Sequence, residues 1–127
     1  MTQPSVLIVE DDRSLREALC ETLDLAGYPT RAAADGREAL ATLEDPGIAM
    51  VVSDVRMQPM DGVTLLQQIK SRRPELPVLL MTAYGTIEHA VEAMRLGAAD
   101  YLVKPFEANA LVEKVNRFLS TLLTSDE

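Results

Sequence analysis

The sequence predicts an α/β fold, a doubly wound sheet of five parallel strands with helices on both faces. Three observations carry that expectation. Four short apolar runs, "VLIV" (6–9), "IAMVV" (48–52), "VLLM" (78–81) and "YLV" (101–103), are continuous rather than alternating, as strands covered on both faces require. The segments between them place apolar residues at helical period. Strand-like and helix-like segments alternate five times, and parallel crossovers are right-handed and normally helical.

The run at 6–9 gives the first strand. Behind it Leu15, Ala18, Leu19, Thr22, Leu23 and Ala26 fall at i, i+3, i+4, i+7, i+8 and i+11, with Arg16, Glu17, Glu21 and Asp24 opposite, and Gly27 supplies a stop. A weaker strand candidate, 30–33, follows the turn at "GYP". Ala39, Leu40 and Leu43 mark a short second helix ending near Pro46 and Gly47. After the strand at 48–52, Leu65, Leu66 and Ile69 mark a third helix closed by "RRPELP". Behind the strand at 78–81, Ile87, Ala90, Val91 and Met94 repeat at i, i+3, i+4 and i+7 between a Thr86 cap and Gly97. Met81 and Met94 read as core fillers, and His89, beside Glu88, Glu92 and Arg95, as solvated surface. The last stripe, after the strand at 101–103, runs through Ala108, Leu111, Val112, Val115, Phe118, Leu119 and Leu122. Residues 1–127 are thus expected to form one domain with a core over about 5–119, and the polar tail 120–127 is expected to fray.

Composition narrows the function. Twelve Lys+Arg stand against 20 Asp+Glu, a net charge of −8, so a phosphate backbone would repel the chain and no direct nucleic-acid binding is expected. A single cysteine, Cys20, excludes an internal disulfide, fits a reducing cytosol and reads as a packing residue among leucines. The N-terminus lacks a basic region and no apolar run approaches spanning length. Neither signal peptide nor membrane contact is expected, and the expected location is cytoplasmic.

Ligands of doubly wound sheets bind outside the carboxyl ends of the strands. Glu10, Asp11 and Asp12 follow the first strand, Asp54 the third, Thr82 the fourth, and Lys104-Pro105 the fifth. Crowded carboxylates repel and resist desolvation. A hard divalent cation removes that penalty, and Mg2+ is commonly held by one or two carboxylates. A carboxylate beside Mg2+ and a lysine can act as nucleophile toward a phosphoryl group, with Thr82 donating to a phosphoryl oxygen. Asp12 has a plainer use, as the cap of the first helix.

The motifs "VLIVEDD", "VVSDVRMQPMDG", "LLMTAYG" and "GAADYLVKPF" stand in this order, each closing an expected strand. In them the chain resembles the receiver domain of two-component response regulators, from about residue 5 to 118. The resemblance implies a three-layer sandwich with flavodoxin- or CheY-like strand order 2-1-3-4-5. It implies that Asp54 accepts a phosphoryl group from a sensor histidine kinase with Mg2+ as cofactor. Asp11 and Asp54 match the metal ligands, Glu10 acts through water, and the backbone carbonyl of Arg56 completes the set. Thr82 and Tyr101 match the switch pair, Lys104 the phosphate-contacting lysine, and Pro105 the proline of a cis bond. Arg56 and Tyr84 occupy the positions that tune the phosphoform's lifetime. The domain itself would not be an enzyme beyond catalysing its own phosphorylation and dephosphorylation. Its later segments look most like NtrC-type transcription activators, which implies an AAA+ output domain in the same chain. It also implies a homodimer through the face of the fourth helix, fifth strand and fifth helix, including Arg95, Ala98, Tyr101, Glu113 and Lys114.

The chain departs from the pattern at Glu10, where Asp is commoner, and in the loop after Asp54. There Gln58 holds the usual proline position and Pro59 follows, so residues 57–60 can take a different path. Two other classes remain open on sequence. One is a Mg2+-dependent phosphohydrolase of the haloacid-dehalogenase kind, although its nucleophile would follow the first strand rather than the third. The other is a phosphorylation-independent interaction module, which intact Asp11, Asp54, Thr82 and Lys104 argue against.

Overall fold

A computed structural model describes residues 4–57, 60–83 and 87–124, without the side chains of Ile87 and residues 120–124. The chain runs β1 (Ser5–Val9), α1 (Arg13–Leu25), β2 (Thr30–Ala33), α2 (Gly36–Thr42), β3 (Ile48–Asp54), α3 (Gly62–Arg72), β4 (Val78–Thr82), α4 (Ile87–Arg95), β5 (Asp100–Val103) and α5 (Ala108–Thr124). The strands pair in parallel in the order β2-β1-β3-β4-β5, the doubly wound order expected.

Alternate residues of the buried strands feed two cores. Leu7, Val9, Val51 and Leu80 meet Leu65, Leu66 and Ile69 of α3 and Ala93 of α4. Val6, Ile8, Val52 and Met81 meet Leu19 and Leu23 of α1 and Leu111 and Val115 of α5. At about 25 cal/mol per Å² of apolar surface removed from water, these two layers dominate the fold's stability. Asp12, Asp35 and Asp61 cap α1, α2 and α3, accepting from the amides of Leu15 at 3.1 Å, Glu38 at 2.9 Å and Thr64 at 2.8 Å. Gly27 (φ 96°) and Gly97 (φ 107°) turn the chain out of α1 and α4 in left-handed conformations. The amides of Tyr28 and Ala98 close these ends on the carbonyls of Leu23 and Ala93.

The fourth helix departs from its sequence reading. Val91 is 52% and Met94 47% exposed, so Met94 is not a core filler, whereas Met81 is fully buried. The sheet-facing contact belongs to Ala93, a small residue that the stripe did not include. Thr86 lies outside the described residues. In the fifth helix Leu111, Val115 and Leu119 are buried as expected. The helix continues to Thr124, into the stretch expected to fray. Cys20 is half-buried, and burial pushes its thiol above the ordinary value, as suits a packing residue. Among the described residues no helix is long and apolar enough to cross a membrane.

Candidate functional site

The strand β3 runs two residues past its apolar core, and Asp54 is its last residue. Asp54 stays in the ladder opposite Met81, and the next amide, Val55, donates to the Met81 carbonyl at 2.9 Å. The Ser53 hydroxyl donates to the Asp54 carbonyl at 3.0 Å. The returning chain then crosses this backbone closely, the Gly62 amide donating to the Val55 carbonyl at 2.7 Å. A Cβ on Gly62 would stand 2.3 Å from the Asp54 carbonyl oxygen and 2.8 Å from the Val55 Cα. Close approach, not an unusual φ, is what requires glycine there.

At the end of β1, Glu10 is 1% exposed. Its amide donates to the Ala33 carbonyl at 3.1 Å, and its own carbonyl accepts from Nη1 of Arg16 at 2.8 Å. Its carboxylate is held twice, Oε2 by the Asp12 amide at 3.1 Å and Oε1 by Nζ of Lys104 at 3.0 Å. The same ammonium lies 3.1 Å from Oδ1 of Asp54. Lys104 is placed by its amide, which donates to the Thr82 carbonyl at 2.7 Å, and the Lys104-Pro105 peptide is cis. Asp11 is exposed at the rim.

One oxygen from each of Glu10, Asp11 and Asp54 can lie within 4.8 Å of the others. An all-oxygen set of this size fits a hard cation such as Mg2+, with waters completing its shell. Burial pushes the Glu10 carboxyl above its ordinary value, and the Asp54 charge adds to that push. The Lys104 and Asp12 hydrogen bonds pull it back without cancelling it. Burial alone would lower Lys104, but its bonds to Glu10 and Asp54 outweigh that and raise it, so it stays an ammonium. The edge is a carboxylate cluster with a built-in cation, Lys104.

Beside it, Val55, Arg56, Thr82, His89, Glu92 and Tyr101 line a cavity of about 310 Å³. Thr82 is 3% exposed and Tyr101 half-buried.

Residues 6–116 match the model of the response regulator receiver domain. The chain belongs to the response regulator receiver family. It is 58% identical over 112 residues to the response regulator protein FleR of Pseudomonas aeruginosa, covering 88% of this chain and 24% of that protein. To the DNA-binding transcriptional regulator NtrC of Salmonella typhimurium it is 42% identical over 120 residues, 94% of this chain and 26% of that protein. The chain therefore spans about a quarter of the curated relatives it matches. Its structure superposes on the receiver domain of NtrX from Brucella abortus with a TM-score of 0.86 and 39% identity, covering 92% of this chain and 99% of that one.

In this receiver Glu10, Asp11, Asp54 and Lys104 converge directly. Thr82 reaches the edge one residue beyond Asp54's partner on the neighbouring strand, and Tyr101 and Arg56 join it around the cavity. Tyr84, Gln58 and Pro59 lie outside the described residues. Asp12 serves as the α1 cap while its amide holds Glu10. His89 and Glu92, read as solvated surface, line the cavity against Thr82 and Tyr101. Of the residues expected on a dimer face, Ala98 is 6% exposed and so belongs to the core rather than to a contact surface. Lys114 is paired with Asp100 at 2.8 Å. Two contributors have no sequence signal that singles them out: Gly62 stands inside a motif, and Arg16 on the polar face of α1.

Proposed function

We propose that this chain is a phosphorylation-dependent switch in which Asp54 accepts a phosphoryl group from a phosphohistidine of a sensor histidine kinase. The observation that carries the reading is the Lys104 ammonium, 3.0 Å from Glu10 and 3.1 Å from Asp54 at the carboxyl edge of the sheet. An Asp54 oxygen attacks phosphorus, the P–N bond breaks, and its electron pair stays on the imidazole nitrogen. Glu10, Asp11, Asp54 and the Arg56 carbonyl would hold Mg2+, which when bound supplies positive charge against the transferring oxygens. Lys104, which contacts Glu10 and Asp54, would neutralise further charge on the same group. Water then cleaves the acyl phosphate, returning the carboxylate and free phosphate, so the domain turns over only its own modification. Incubation with acetyl phosphate and Mg2+ should give one phosphoryl adduct by intact mass, absent without Mg2+ and in Asp54→Ala. A chain that takes no adduct from either acetyl phosphate or a phosphorylated kinase would contradict the reading.

The phosphoryl group adds about −1.5 to −2 charges and three acceptor oxygens. The Thr82 hydroxyl turns toward those oxygens and Tyr101 moves within the adjoining cavity, so α4 and β5 shift together. By the likeness to the family, Arg56 and Tyr84 hold the sequence positions that tune the acyl phosphate's lifetime, and their bulk would hinder water. Arg56→Asn with Tyr84→Ala should shorten the phosphoform's half-life severalfold, followed by loss of the adduct in EDTA. An equal or longer half-life would remove both residues from that role.

The readout is control of an output domain, an AAA+ ATPase that activates transcription, in a full-length cytoplasmic protein. Its support is the likeness to transcriptional regulators four times this length. Val91, Met94 and Val103 expose apolar surface on α4 and β5, and with Arg95, Tyr101 and Glu113 they form the face of a phosphorylation-dependent homodimer. Exposed charge pairs there contribute about 0–1 kcal/mol each, so the apolar side chains carry the contact. Sedimentation should show a dimer with beryllofluoride that Met94→Glu abolishes. A monomer in both states would rule the dimer out.

A further inference from the structure

Arg16 sits in the wrong place for helix electrostatics. It is the fourth residue of α1, whose first turn carries no acidic residue, and a cation near a helix N-terminus opposes the macrodipole. A local rule broken in this way points to a gain elsewhere. The gain is visible six positions back, ahead of the helix, where Nη1 of Arg16 donates to the Glu10 carbonyl at 2.8 Å.

That carbonyl is the joint of the acidic edge. The Glu10 carbonyl and the Asp11 amide belong to one planar peptide unit. Holding its oxygen fixes the rotation that sends the Glu10 side chain inward, to Lys104 and the Asp12 amide, and Asp11 outward to the rim. On the other side of Glu10, the amide is already fixed to Ala33. We propose that Arg16 is a positioning residue for the divalent-cation site: by clamping the Glu10–Asp11 peptide it sets the spacing of the Glu10, Asp11 and Asp54 oxygens. The inference rests on the cation-site reading above.

Its sign separates it from a charge effect. A guanidinium near a cation site repels the ion, so by Coulomb's law alone its removal would tighten Mg2+ binding. Positioning predicts the opposite, because loss of an outer-shell orienting partner typically weakens metal binding about 10–100-fold.

The test is calorimetric titration of the intact chain with MgCl2, for wild type, Arg16→Met and Arg16→Lys. Arg16→Met should raise the Mg2+ Kd about tenfold, roughly 1.4 kcal/mol. Arg16→Lys, which keeps one donor, should recover most of it. With acetyl phosphate, Arg16→Met should need correspondingly more Mg2+ for half-maximal labelling yet reach the wild-type rate at saturation, a split that general damage to the fold would not produce. Where Arg16→Met does not fold, Arg16→Gln takes its place. Unchanged or tighter Mg2+ binding in the variant, or a loss that saturating Mg2+ does not restore, would overturn the proposal. No Mg2+ binding by wild type would overturn the cation site and this inference together.

Discussion

Gly62→Ala is expected to unfold roughly 10 °C below wild type and to bind Mg2+ and accept phosphate at least tenfold more weakly. The new methyl would stand 2.3 Å from the Asp54 carbonyl oxygen and 2.8 Å from the Val55 Cα, both backbone atoms that cannot swing aside. Relief requires β3 or the start of α3 to move, at a cost of about 3 kcal/mol, which for a domain of this size gives that midpoint shift. Either movement breaks the 2.7 Å bond from Gly62 to Val55 and tilts the strand end that aims Asp54. Differential scanning calorimetry and Mg2+ titration on the same sample would check both effects. A variant with the wild-type midpoint and affinity would mean the crossing is looser than described. Gly36→Ala is a control, since its new methyl would meet chiefly the flexible Met60 side chain.

Lys104→Met is expected to lose about 2 kcal/mol of stability at neutral pH without Mg2+, and to accept phosphate at least tenfold more slowly. Removing the ammonium leaves the Glu10 and Asp54 carboxylates, with side chains only 2% and 10% exposed, without their charged partner. The lysine's own 21% exposure keeps the loss below that of a fully buried pair. Added Mg2+ should stabilise the variant more than wild type, because a competing cation has gone. The pH dependence follows from the directions of the shifts. Lys104 is raised, so its contribution is complete below the ordinary lysine range and is lost as pH rises through its folded value. As far as Lys104 is concerned, the wild-type advantage should therefore hold level across neutral pH and close in strong alkali. Glu10 is raised too, so its ionisation costs the folded state, and that cost appears as pH rises through the carboxylate range. With Lys104 gone the cost grows, so acidification through that range should narrow the gap. Denaturant unfolding across pH tests this, and a variant as stable as wild type in EDTA at pH 7 would contradict it.

Much of the fold was legible because β1, β3 and β4 are buried on both faces and the turns are punctuated. Continuous apolar runs located β1, β3 and β4, and Gly27 and Gly97 marked the ends of two helices. Asp54 extends β3 beyond the apolar run because it keeps its place in the ladder opposite Met81, which hydrophobicity alone does not reveal. The fourth helix misled for a physical reason. A stripe at helical period reports that a face is apolar, not that it is covered, and here Val91 and Met94 point to solvent while Ala93 makes the sheet contact.

The acidic edge was legible because topology collects whatever follows each strand. What sequence could not supply was the second layer: Gly62 crossing the Asp54 backbone, and Arg16 reaching back six positions to Glu10. Periodicity assigns a long polar side chain to an outer face and is blind to where its tip returns. His89 illustrates the same limit, since it is exposed yet lines the cavity against Thr82 and Tyr101.

The central claim is that the nucleophile is Asp54, and chemical trapping tests it most directly. After brief incubation with acetyl phosphate and Mg2+, borohydride reduces an aspartyl phosphate to homoserine, which peptide mapping can place on the chain. Homoserine is expected at position 54 and nowhere else, and is expected to be lost when Mg2+ is withheld. Reduction at Glu10, Asp11 or another residue, with position 54 still aspartate, would contradict it.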